Sequence, residues 1–131
     1  MQERRKQPRK DLMSYSQVYD LHSGKLIGYL GDINQFGAMV ITDDPFEVNA
    51  NLNISIELPE LPDTNDPNMT VSIRVAWCQK DISPDYYNVG LEFNRISEKQ
   101  KTIIQSVIEN YEFRRQAPNY PHTHENELDD N

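Results

Sequence analysis

The chain has one cysteine, Cys78, so an internal disulfide is excluded, which fits a reducing compartment. It has no apolar run approaching a membrane span and no basic-then-hydrophobic leader, so membrane insertion and secretion are not expected. Hydrophobic content is only 37%, so part of the chain is expected to stay unpacked, at the ends above all. No paired nucleophile and base, phosphate-cradling glycine loop, metal-ligand spacing or internal repeat is visible, and an enzyme is not expected. His122 and His124 flank Thr123 beside Glu125, but they sit in an acidic tail without a further ligand, so no metal site is read there. Basic residues are also few, thirteen against twenty-one acids, for a net charge of −8. A broadly acidic surface repels a polyanion, which argues against nonspecific nucleic-acid binding.

The few cations are not spread evenly. The first ten residues carry five bases and one acid, a local +4, and the remaining 121 carry eight bases and twenty acids, −12. Arg4, Arg5 and Arg9 lie in this arm, and Pro8 pushes it toward extended geometry. Arginine suits phosphate and the acceptor edge of guanine because its planar fork makes paired, charge-assisted hydrogen bonds. Screening acts over about 8 Å at physiological salt, so a local arginine pair can dominate over distant acids.

A length of 131 residues fits one domain with a real core. Short alternating runs fill the middle: 14–21, 26–33, 36–42, 52–58, 70–79 and 86–93. The turn His22-Ser23-Gly24-Lys25 separates the first two. In the fifth run Val71, Ile73, Val75 and Trp77 share one face, so Trp77 reads as core or as a platform for a base. Residues 59–69, with three prolines, read as a loop. Six strands at this spacing predict a mainly β small barrel or sandwich. Ser97 and Gln100 then form a capping box ahead of Ile103, Ile104, Val107, Ile108 and Tyr111 at helical spacing. The organisation expected is a flexible basic arm over 1–10, a domain over 11–113 ending in a helix over 97–113, and a disordered acidic tail over 114–131.

Two motifs stand out in order. The first is Arg5-Lys-Gln-Pro-Arg9, an Arg-x-x-x-Arg spacing. The second is Asp32-Ile-Asn-Gln-Phe-Gly37, a polar cluster ending in glycine between two strands. There Asp32 and Asn34 can bond backbone or a ligand edge, and Gly37 can take a positive φ or let a ligand come close. With Val75-Ala-Trp77 and Val89-Gly-Leu-Glu-Phe93, these residues resemble the PilZ domain, a bacterial family of cyclic di-GMP receptors, over about residues 3–112. Asn34 departs from the pattern, standing where the family has serine. It keeps a donor and an acceptor but is longer.

The resemblance implies a six-stranded antiparallel barrel with a C-terminal helix packed on it, in a bacterial cytoplasm. It also implies roles. Arg5 and Arg9 would grip guanine edges and phosphates, Arg4 would reach a second nucleotide, and Asp32 would accept from guanine N–H groups. Asn34 would add a polar contact, Gly37 would leave room for the ligand, and Trp77 would be a stacking platform. No cofactor is implied beyond the ligand. The output would pass to an unidentified protein partner, with the chain a monomer or weak dimer. The alternative is a degenerate adaptor that docks an acidic protein surface through the arm and binds no nucleotide.

Overall fold

The structure is a computed structural model that describes residues 11–13 and 16–113. In chain order the strands are β1 (Asp11–Leu12), β2 (Gln17–Asp20), β3 (Leu26–Ile33), β4 (Gly37–Thr42), β5 (Asn51–Glu57), β6 (Asn68–Lys80) and β7 (Tyr87–Phe93). Helix α1 (Glu98–Asn110) and a two-residue β8 (Tyr111–Glu112) come after them. Strands β2 to β7 close into an antiparallel barrel in the order β2-β3-β4-β7-β6-β5. Closure leaves these six strands without an unpaired sheet edge.

Period-two alternation builds the interior. Val18, Leu30, Val40, Ile54, Ile56, Val71, Ile73, Val75, Val89 and Leu91 are buried together, and Ile103, Ile104 and Val107 of α1 join the same cluster. The apolar stripe read from the sequence thus lies on the barrel core. The capping box forms as expected: the Ser97 N–H donates to Gln100 Oε1 at 2.7 Å, and the Gln100 N–H donates to Ser97 Oγ at 3.1 Å. In the first run Val18 is the inward residue, and Leu21, grouped with Tyr15 and Tyr19 by alternation, is exposed. A register shift between Val18 and Tyr19 accompanies this.

The helix is shorter than expected. It ends at Asn110, with Tyr111 extended at φ −134° and ψ 150°. The chain leaves the helix because Tyr111–Glu112 pairs in parallel with Asp11–Leu12. The Met13 N–H donates to the Glu112 carbonyl at 2.6 Å, and the Tyr111 hydroxyl donates to the Glu60 carbonyl at 2.7 Å. The backbone just after the basic arm is therefore tied to the far end of the helix. The helix in turn meets the β3–β4 turn, where Gln35 Nε2 donates to Gln105 Oε1 at 3.0 Å.

Candidate functional site

Two irregularities shape the outer face of the barrel. In β3 the register shifts between Leu30 and Asp32, and in β6 it shifts between Val75 and Trp77. A bulge adds a residue on one strand and re-aims the side chains beyond it. After the first, Asp32 pairs with Met39, which pairs with Gly90, which pairs with Trp77. These four residues form one row across β3, β4, β7 and β6. Strands lie about 4.8 Å apart, so Asp32 and Trp77 stand about 14 Å apart at the two ends of that row. The neighbouring row is Gly37, Glu92 and Arg74. Both rows, with Asn34 and Phe36, line one groove of about 320 Å³.

Local hydrogen bonds fix the turn at one end. The Asn34 N–H donates to the Gly37 carbonyl at 2.9 Å. Asn34 Oδ1 accepts from the Phe36 N–H at 2.7 Å and the Gly37 N–H at 3.0 Å, an Asx turn. The Asp32 carboxylate accepts from the Ile33 N–H at 2.9 Å. Gly37 does not take a positive φ. Its constraint is the approach of β4 to β7, since an added Cβ would stand 2.1 Å from the Leu91 carbonyl oxygen.

The bulge in β6 decides the place of Trp77. Val75 is fully buried, but Trp77 is 41% exposed, on the outside. Cys78 takes the inward side instead, partly buried against the core. The core reading of Trp77 is therefore incorrect. Its indole lies over Gly90, where a Cβ would sit 2.2 Å from Cε2 and Nε1. The ring packs against β7 at Gly90 and still keeps exposed surface.

Arg74 is the groove's cation among the described residues. Its Nε donates to Glu92 Oε1 at 3.0 Å, its Nη2 bonds the same oxygen, and its Nη1 donates to Asn49 Oδ1 at 2.8 Å. Asn49 itself has φ 78°, a left-handed backbone that asparagine tolerates. With Asp32 and Glu92 present, the described groove carries two carboxylates and one guanidinium. It has acceptors for N–H groups and an aromatic surface, but no surplus positive charge of its own.

Four of the residues singled out from the sequence are thus brought together: Asp32, Asn34, Gly37 and Trp77. Arg4, Arg5 and Arg9 lie outside the described residues, as do the expected arm 1–10 and tail 114–131. Sequence reasoning passed over Phe36, Arg74, Gly90 and Glu92. A signal existed for Gly90, because a glycine between the inward residues Val89 and Leu91 marks an outer position where something lies close.

A PilZ domain model matches residues 3–110. The chain belongs to the PilZ domain family. This PilZ domain is similar in structure to the Bacillus subtilis inhibitor of motility (MotI/DgrA), with TM-score 0.60 and 21% identity over 82% of the chain, and it spans half of that protein. It is also similar to the PilZ domain of YcgR from Escherichia coli, solved with c-di-GMP. There the TM-score is 0.56 and the identity 11%, over 82% of this chain and 90% of that one. At these identities the likeness is one of fold. No curated protein matches this chain by sequence. Among the described residues no helix is long and apolar enough to cross a membrane, and no group of three or more His, Cys, Asp or Glu could hold a metal ion.

Proposed function

We propose that this PilZ domain is a receptor for cyclic di-GMP. The observation that carries the reading is the groove, which collects Asp32, the Asn34–Gly37 turn and Trp77 on one outer face. Asp32 accepts from guanine N–H groups at one end of the row, and Trp77 carries a base at the other. The distance of about 14 Å between them is too great for one base and suits a ligand with two. Family membership supports the reading, as does the c-di-GMP in the YcgR structure.

The charge count supports a role for the arm in holding the phosphates. The described groove holds two carboxylates and one paired arginine, so a dianionic ligand needs cations from elsewhere. Arg5 and Arg9 supply them, with Arg4 beside them for a second nucleotide. Arg5 lies six residues before Asp11, and six residues span at most about 20 Å. Strand β1, where the arm joins the domain, is tied to β8 at the end of α1, and α1 touches the β3–β4 turn at one end of the groove, which supports an arm that reaches it. Ligand binding orders the arm over the groove and changes the face offered to a protein partner in the bacterial cytoplasm. Ordering the arm consumes binding free energy, so affinity falls near micromolar, about −8 kcal/mol.

One observation favours a second reading, an adaptor that binds protein and not nucleotide. Asn34 Oδ1 is already used by two backbone N–H groups, and Arg74 is already paired with Glu92. Calorimetric titration separates the two readings. The receptor gives saturable heat with cyclic di-GMP, none with cyclic di-AMP, and none for the Arg5→Ala/Arg9→Ala double variant. Absence of heat from the unaltered protein at high ligand would establish the adaptor instead.

A further inference from the structure

Phe36 is the most exposed aromatic side chain among the described residues, at 81% of its surface, yet its backbone is held on both sides. Its N–H is bound by Asn34 Oδ1, and its carbonyl accepts from the Phe93 N–H at 2.9 Å. A large apolar ring on a mobile loop tip needs no explanation. A ring kept in water by a hydrogen-bonded turn does, because turning it inward would have recovered the free energy of burying its apolar area. The ring also lines the same groove as Asp32 and Trp77.

Its place in that groove is set by register. Phe36 stands level with Phe93 on β7, while Trp77 stands level with Gly90. The two aromatics are therefore two strands and about three residues apart, roughly 14 Å between Cα atoms. They are separate surfaces at opposite corners of one groove, and both expose ring to solvent.

We infer that Phe36 is a second base-stacking residue of this groove, working on the part of the dinucleotide that Trp77 does not carry. The inference rests on the receptor reading above. It also gives Asn34 a defined task as a positioning residue: the two hydrogen bonds it accepts fix the turn that holds Phe36 outward.

The test measures cyclic di-GMP affinity by calorimetry for the unaltered protein, Phe36→Ala and Phe36→Tyr, and tracks the fluorescence of Trp77, the single tryptophan of the chain. Phe36→Ala is expected to weaken binding about five- to a hundredfold, the range of base–aromatic stacking. Phe36→Tyr, which keeps a ring, should stay within about threefold of the unaltered protein. The Trp77 signal at saturation should be the same in all three, since its own contact is intact. Phe36→Ala binding at unaltered affinity would overturn the inference and leave the receptor reading standing. No heat from the unaltered protein would remove the receptor reading and this inference with it.

Discussion

Along β6, Val71, Ile73 and Val75 occupy the barrel interior, while Arg74 between them and Trp77 beyond them face the groove. One strand thus serves two regions built on different terms. The interior is filled by apolar side chains, most of them valine and isoleucine, on the inward positions of the strands. The groove is lined by residues held through hydrogen bonds, a charged pair and backbone approach, and Asn34, Phe36, Trp77 and Glu92 among them keep solvent contact. The difference teaches where chemistry is affordable in a barrel of this size. Polar groups and open aromatic surface sit where water still reaches them, and bulges at Leu30/Asp32 and Val75/Trp77 set them there.

The comparison can be broken at neighbouring positions. Ile73→Ala, at a fully buried site, should cost about 2–5 kcal/mol in urea unfolding. Gly37→Ala should cost about 1–3 kcal/mol, because its Cβ would press on the Leu91 carbonyl and part β4 from β7. Arg74→Ala, one residue from Ile73, should cost no more than about 1 kcal/mol, since its pair with Glu92 is half open to water. If Arg74→Ala and Ile73→Ala proved equally costly in the same unfolding series, the distinction between interior and groove would be wrong.

The smallest expected effect lies away from both regions, in the β2–β3 turn. The Ser23 hydroxyl donates to Asp20 Oδ2 at 2.7 Å, and with the backbone N–H groups of Ser23 and His22 it holds that carboxyl below the usual aspartate range. A depressed folded-state value contributes stability above the unfolded-chain value of about 3.9, and that contribution is lost as the pH falls through the folded value. Ser23→Ala should move the Asp20 titration upward toward the ordinary range, read from its carboxyl carbon by NMR. Melting at neutral pH should hardly change.

Much of this was legible in the chain. Ile54 with Ile56, and Val89 with Leu91, declared their inward faces through alternation, and Ser97 with Gln100 declared the helix start. Asp32, Asn34 and Gly37 showed as a polar turn between two strands, and their order after Arg5 and Arg9, through its resemblance to the PilZ pattern, marked them as site candidates. Arg74 and Glu92 were not found, because a charged residue at an outward strand position looks like any solvated surface. The helix end was misplaced because the pairing of residues 111–112 with 11–12 joins positions a hundred residues apart.

By itself the sequence determined the six strands of the barrel, its filled interior, the capped helix and the concentration of positive charge in one arm. These arise from local patterns: side-chain period, turn chemistry and composition. Tertiary structure alone decided that Trp77 lies outside, that Asp32 shares its row, and that Phe36 is held in water at the groove's corner. A bulge needs a partner strand to be a bulge, and a groove exists only where non-neighbouring strands are laid side by side.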